Sequence, residues 1–235
     1  MHKIKRPLLL LFAVVISSIQ IVAQDAEEGV TMTFSTLSWQ GSIKELLYFN
    51  NGAPTPILIP NGAPGSEFTY KGPPNLSFHT QEIDEEGKPI YPTVASTTVA
   101  NHQELLLIFF PTRASIDSAL SYRILALPAA EADFTSNAFN FYNLTKKRLA
   151  IRVGEHKFQI APGTSLIMPL ATSNTQNVDV QMAANQQNNG WTMIYQSRWA
   201  PPKRRRAWVF IHGEGEGTPE IRKYYQVLTQ TTHSQ

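Results

Sequence analysis

The sequence predicts an all-β protein made of two tandem antiparallel β-sandwich domains. Three observations support this fold class. Apolar and polar residues alternate with a period of two in many short runs, which is the pattern of half-buried strands. Turn signals such as Asn51-Gly52 and Pro162-Gly163 separate these runs, at the spacing of about 8 to 12 residues that is typical of sandwiches. No segment of the 235 residues shows a sustained helical period.

The first 23 residues have the pattern of a secretory signal peptide. Lys3, Lys5 and Arg6 form a positive region, an apolar run from Leu8 to Ile16 follows, and Ala23 supplies a small residue before the expected cleavage point. We therefore expect an exported protein, periplasmic or extracellular, with no transmembrane segment after cleavage. The alternative is a retained membrane anchor, although spanning a bilayer takes about 20 apolar residues.

The mature chain is nearly neutral and has no cysteine. Three of the 20 Lys and Arg residues lie in the signal segment, which leaves 17 against 18 Asp and Glu residues and a formal charge of −1. This balance gives no general attraction to nucleic acid, so no nucleic-acid partner is expected. Without cysteine there is no disulfide framework and no lipoprotein attachment site, and the fold must depend on its core.

The first half of the mature chain contains eight predicted strands. They lie at Val30–Leu37, Glu45–Asn50, Ile57–Ile59, Phe68–Tyr70, Leu76–Phe78, Thr93–Val99, Glu104–Phe110 and Ser121–Leu127. The prolines on either side of Ile57–Ile59 indicate an edge strand. The run from Glu104 to Phe110 is apolar after its first residue, which predicts a strand buried on both faces.

The second half continues the same pattern. The stretch from Asn140 to Leu170 is predicted to form three short strands with turns at Gly154-Glu155 and Pro162-Gly163. Later strands are expected at Val178–Met182, Trp191–Trp199, Ala207–Ile211 and Ile221–Val227. A segment beginning at Pro128 is the best candidate linker, so we expect a signal peptide at 1–23 and domains at 24–127 and 128–235.

The two halves can be aligned by pattern, although few residues are identical. In this alignment Ile57 falls on Leu149, and Leu105–Leu127 falls on Trp191–Gly213 without a gap. The match predicts an internal duplication of a sandwich of roughly 100 residues. Chance recurrence of ordinary β alternation is the alternative explanation.

Five runs of the second half resemble a group of known sequences: Phe141–Thr145, Ala150–Gly154, Ile160–Gly163, Tyr195–Trp199 and Trp208–Ile211. They are similar to uncharacterised exported bacterial proteins built of β-sandwich repeats. The resemblance implies immunoglobulin-like sandwiches and no activity. The size, export and two-sandwich layout are also similar to those of periplasmic pilus chaperones. Those chaperones use a basic pair in the cleft between their domains, and no such pair stands out here.

The sharpest charge feature is the run Lys203, Arg204, Arg205 and Arg206, which follows Trp199 and two prolines. A basic loop beside an aromatic residue predicts contact with an anion, such as an acidic glycan, or with a partner protein. We expect Trp199 to be the tryptophan at the surface of this site and Trp208 to lie in the core. The alternative is a charged loop that protects a sheet edge from aggregation.

Evidence for other chemistry is weak. His212, Glu214 and Glu216 are possible metal ligands. The alternative is a solvated hairpin loop that binds no metal, because a metal site requires more ligands at fixed positions. No known catalytic or phosphate-binding motif occurs, so we predict no catalytic residues, no cofactor and no enzymatic activity.

The sequence therefore predicts an exported, non-enzymatic binding or structural protein of the cell envelope. One alternative is a chaperone-like or scaffold protein that binds another exported polypeptide at a sheet edge. The other is an anion or glycan binder that uses the loop Lys203–Arg206. The expected partner is accordingly another envelope protein or an anionic glycan.

Overall fold

The computed structural model describes residues 29–112, 120–171, 176–186, 190–213 and 218–228. These residues form strands and no helix, which confirms the predicted all-β class. In this part of the chain, no helix is long and apolar enough to cross a membrane. The predicted signal segment at 1–23 lies outside the described residues.

Each predicted strand overlaps an observed one. The first half contains β1 (Val30–Ser38), β2 (Ile43–Asn50), β3 (Ala53–Ile59), β4 (Phe68–Gly72), β5 (Asn75–His79), β6 (Glu82–Ile83), β7 (Pro89–Ile90), β8 (Thr93–Thr98), β9 (Glu104–Pro111) and β10 (Tyr122–Pro128). The second half contains β11 (Ala138–Asn143), β12 (Leu149–Val153), β13 (His156–Ile160), β14 (Ser165–Pro169), β15 (Val178–Gln186), β16 (Gly190–Trp199), β17 (Arg205–His212) and β18 (Glu220–Val227). The stretch predicted to hold three strands, 140–170, holds four, because β11 is a strand of its own.

The two halves have the same sheet topology. The first half has one sheet in the order β4-β1-β9-β10 and another in the order β3-β2-β5-β8. The second half repeats this arrangement with β14-β11-β17-β18 and β13-β12-β15-β16. The small hairpin β6-β7 is the one addition among the described strands, and it belongs to the first half.

The prediction of purely antiparallel sheets is wrong for one sheet in each half. Strand β1 pairs in parallel with β9, and β11 pairs in parallel with β17. All other pairings among the described strands are antiparallel. The parallel pairs arise because the opening strand of each half enters the middle of its sheet, beside the penultimate strand.

The residue alignment between the halves is displaced by one strand. Ile57 lies on β3, whereas Leu149 lies on β12, which occupies the place of β2. Likewise, Leu105–Leu127 spans β9 and β10, and Trp191–Gly213 spans the counterparts of β8 and β9. Because every half-buried strand has a period of two, alternation does not distinguish a strand from its neighbour.

Each half has its own apolar core between its two sheets. In the first half the core includes Phe34, Tyr48 and Phe78, all nearly inaccessible to solvent. In the second half Phe141 and Ile151 occupy comparable positions. Both halves are therefore sandwich-like, with side chains from two sheets meeting in one layer.

A third core joins the two halves. Along β9, Leu107 faces the core of the first half, whereas Leu106 and Ile108 face the second half. Along β17, Trp208 and Phe210 face the first half. The two inner sheets, which contain β9 and β17, are thus packed on both faces. The four large sheets form a stack with three apolar layers between them. The predicted burial of β9 on both faces is confirmed.

We expect Phe210→Ala to destabilise the whole protein, because Phe210 is fully buried in the third core against Trp39, Tyr142 and Tyr224. Truncating a buried phenylalanine costs about 3–5 kcal/mol. Urea unfolding at neutral pH measures this loss. Leu58→Ala is the control, since Leu58 is 55% exposed, and an equal loss in both variants would contradict the shared core.

Candidate functional site

The predicted basic site is divided by the structure. Lys203 and Arg204 are exposed on the turn before β17, and Arg205 is exposed at the start of β17. Arg204 adopts a left-handed backbone conformation, with φ of 58°. Arg206 is only 4% exposed. Arg206 therefore does not belong to the exposed basic loop predicted from the sequence.

Arg206 instead joins the two halves. Its Nη1 donates to the backbone oxygen of Ala129 at 2.7 Å, and its Nε donates to Gln226 Oε1 at 2.9 Å. Its Nη2 lies 3.5 Å from Glu104 Oε1 on β9, and the guanidinium lies over the Phe134 ring. The sequence missed this role because period-two alternation shows that a side chain points inward but not which partners meet it.

Burial lowers the pKa of Arg206, and the carboxylate of Glu104 acts in the opposite direction. An arginine keeps its charge in proteins, so this buried cation depends on its partners for stabilisation. Anion binding by the exposed residues Lys203, Arg204 and Arg205 stays a prediction.

Trp199 is buried rather than exposed, contrary to the prediction. Its side chain is 2% accessible, stacks on Phe141 and donates from Nε1 to the Tyr195 hydroxyl at 2.8 Å. The Nζ of Lys223 lies 4.1 Å from the centre of the Trp199 ring, and burial lowers the pKa of this lysine. Trp199 faces inward because it ends β16 on the core side of its sheet. The predicted core position of Trp208 is confirmed.

His212, the first proposed metal ligand, lies at the end of the third core. Its ring packs edge-on against Trp39, and its Nε2 is 3.1 Å from Glu220 Oε2. Arg222 binds the same carboxylate at 2.7 Å. Glu214 and Glu216 lie outside the described residues, and within the described ranges no three acidic, histidine or cysteine side chains form a group able to hold a metal ion.

Two other polar motifs stabilise local structure. Asn143, the asparagine of a glycosylation-like sequence, is fully buried, and its side chain bonds to backbone oxygens of Lys147 and Ile160. Asp84 accepts hydrogen bonds from the backbone amides of Glu86 and Lys88, so its carboxylate fixes a turn.

The edge strand β16 exposes two large apolar side chains on one face. Trp191 is 44% exposed and Met193 is 54% exposed, and the strand has a hydrogen-bonded neighbour on one side only. Its first part, Gly190–Gln196, contains no charged residue and no proline. A bulge at Ile194 changes the register against β15 and redirects the neighbouring side chains.

The other described edge strands carry the features that usually prevent strand addition. Prolines occur in β3, β10 and β14, and charged residues occur in β4, β10, β13 and β18. Strand β8 has neither, but it lies against β10, with Cα atoms within 8 Å. Proline, charge and covering all prevent a sheet edge from pairing with another chain. Within the part of the chain that the structure describes, the first part of β16 has none of these three protections.

The two halves differ on this side. In the first half the approach of β8 to β10 closes the sandwich, whereas the equivalent strands β16 and β18 form no comparable contact. Tyr195 and Tyr225, one from each strand, are only partly buried against the core. The second sandwich is therefore more open along the edge where β16 is unprotected.

A shallow groove of about 460 Å³ lies next to this edge, on the outer face of the sheet. Ala150, Ala183 and Met193 line it, and their short or flexible side chains leave the space above the sheet open. Arg152 and Lys157 lie at its sides. The groove lies over β12, β13 and β15 and reaches β16 only at Met193.

Comparisons with known proteins identify no family: no family model matches the chain, and no curated protein sequence matches it.

We expect Arg206→Met to destabilise the protein by about 2–4 kcal/mol, since it leaves the partners of a buried charge unpaired. Urea unfolding at neutral pH is the measurement. Arg204→Met, which changes an exposed arginine of the same turn, should stay within about 0.5 kcal/mol of the unmodified protein. Equal effects of the two substitutions would contradict the anchoring role of Arg206.

We also expect stability to fall in mildly acidic solution because of His212. Burial lowers the pKa of His212 below its ordinary value of 6.5, Glu220 raises it, and Arg222 lowers it further. His212 therefore binds a proton more readily in the unfolded chain than in the folded protein. The contribution of the neutral His212 to the unfolding free energy is present above pH 6.5 and is lost as the pH falls below that value.

Urea unfolding of the unmodified protein and of His212→Gln, measured between about pH 7.5 and 5.5 around the histidine range, tests this expectation. The variant should lose less stability over the interval. The pKa of Glu220 is also lowered, chiefly by its hydrogen bond from Arg222. A carboxylate with a lowered pKa loses its contribution to the unfolding free energy only in more acidic solution. The effect of Glu220 can therefore be separated from that of His212. Identical pH dependence in both proteins would contradict the role of His212.

Proposed function

We propose that this protein is an exported, non-enzymatic binding protein of the cell envelope that holds a segment of another polypeptide along β16. The observation that carries the proposal is the unprotected edge Gly190–Gln196, with Trp191 and Met193 exposed on it. An edge strand offers unpaired backbone amides and carbonyls, and an extended segment that adds to it satisfies them.

The preferred partner is an extended segment with apolar side chains at alternate positions. Main-chain hydrogen bonds to β16 supply affinity, and every second side chain of the added segment lies beside Trp191 and Met193 on the outer face. The connection from β16 to β17 carries the exposed cations Lys203 and Arg204, and Arg205 is exposed at the first position of β17. A partner with acidic residues next to its apolar segment therefore complements this edge in charge.

Export and duplication are part of the same proposal. The signal pattern of residues 1–23 supports export. The shared strand order of the two halves supports tandem immunoglobulin-like domains at 24–127 and 128–235 that arose by duplication. In this account the first copy is closed by β8 and β10, and the second keeps the corresponding side open for a partner.

A second candidate function is anion or glycan binding through the basic turn. It is favoured by Lys203, Arg204 and Arg205, which are exposed and form no ion pair within the described ranges. Replacing these three residues by Gln should then abolish retention on an acidic polysaccharide, while replacing Trp191 and Met193 should not.

Site-specific photo-crosslinking in cells tests the edge proposal. The full chain, with its own leader, carries the photoreactive amino acid in place of Met193 or, as the matched control, of Leu58. Leu58 is also an exposed apolar residue of an edge strand, but it lies beside prolines in β3. We expect a discrete adduct with one exported polypeptide at position 193 and at most about a tenth of that yield at position 58, as expected for a protected edge.

A second substitution places a charge on the edge without touching the core. Trp191→Lys should reduce the adduct at position 193, since lysine on an edge strand opposes pairing with another chain. The folded state should be unaffected, because Trp191 is 44% exposed. Equal crosslinking at positions 193 and 58, or an adduct that does not change with Trp191→Lys, would overturn the proposal.

A further inference from the structure

A cleft of about 470 Å³ lies between the two halves, at the end of the third core that is opposite to Arg206. Strands β9 and β17 run in the same direction along this core. Glu104 and Arg206, at the starts of the two strands, form an ion pair. Phe110 and His212, at their ends, border the cleft. The cleft has the size of ordinary small-molecule sites. It uses none of the residues assigned to the β16 edge.

The walls of the cleft are largely apolar. Phe110 and Trp39 form one aromatic surface, with ring centres 4.7 Å apart. Leu125 of β10 extends this surface, and Leu144 faces it from the second half. Both aliphatic side chains are only partly buried, so an apolar ligand would remove them from water.

One cation with available hydrogen-bond donors lines this cleft. Arg123 is exposed on β10, and its guanidinium carbon lies 5.2 Å from the centre of the Phe110 ring. Within the described residues, Arg123 forms no ion pair and donates no hydrogen bond. A guanidinium beside an aromatic ring can still direct its donors to a planar anion such as a carboxylate.

Among the residues that the structure describes, the remaining ionisable groups near the cleft do not repel an anion. The carboxylate of Glu220 is bound by Arg222, whose Nη1 also donates to the Trp39 backbone oxygen at 2.6 Å. Burial lowers the pKa of His212, so its ring is neutral at neutral pH and is available for hydrogen bonding. The described charges around the cleft therefore leave the positive charge of Arg123 uncompensated.

We propose that this cleft binds a small organic carboxylate with a planar or aliphatic body. The carboxylate pairs with Arg123, and the body lies between the aromatic surface of Phe110 and Trp39 and the side chain of Leu144. Both halves contribute to the site, so it exists only when the third core is formed.

Isothermal titration of the mature protein with 1-naphthylacetate and with its neutral amide tests the proposal. We expect the carboxylate to bind at least about tenfold more tightly than the amide, as one charge-assisted pair provides. Arg123→Gln should remove this difference while leaving the melting temperature unchanged, because Arg123 is exposed. Arg204→Gln, at the opposite end of the third core, is the matched control and should preserve it.

Filling the cleft provides an independent measurement. Leu144→Trp should weaken both ligands together by about tenfold or more, since it occupies the space of the apolar body. Absence of naphthylacetate binding to the unmodified protein at millimolar concentration would overturn the proposal, and so would binding that Arg123→Gln leaves unchanged. Neither result affects the proposal for β16, because crosslinking at position 193 does not involve the cleft.

Discussion

The burial of the inner sheets on both faces is the constraint on which the rest of this structure depends. Leu107 and Val209 serve the separate cores of the two halves, while Ile108 and Phe210, their neighbours in sequence, serve the core between them. Separating the halves would expose an entire apolar layer to water. Arg206 lies at one border of that layer with partners from both halves, and Arg222 lies at the other border against Trp39.

This constraint limits where the protein can meet a ligand. The inner sheets have no free face, so the accessible surfaces are the outer sheets, the strand edges and the two ends of the third core. One end holds Arg206 and the other holds the cleft with Arg123. Among the described edges, β16 combines exposed apolar side chains with an uncharged stretch of backbone. The two proposed sites therefore follow from what the packing leaves uncovered.

The topological likeness of the halves gives meaning to their differences. Both halves place their strands in the same order, yet the backbones of β10 and β8 lie close together in the first, whereas β18 and β16 in the second meet mainly through side chains such as Lys223 and Trp199. The space beside β16 is bordered by Tyr195 and Tyr225, with Lys223 lying over Trp199. If both halves arose from one ancestral domain, the first half has its sandwich closed where β8 meets β10. The second half has kept the edge strand β16 open.

The sequence by itself determined the all-β class, the positions of most strands and the double burial of β9, because alternation and turn residues are local properties of the chain. It did not indicate the short hairpin β6-β7 or the separate strand β11. It did not determine which strand of one half corresponds to which strand of the other, since every half-buried strand alternates alike. The placement of Arg206 and Trp199 was decided only by the tertiary structure. A period of two indicates that a side chain points away from water, but the partners that cover it, such as Glu104 and Phe141, lie far away in the sequence and meet it only when the sheets stack.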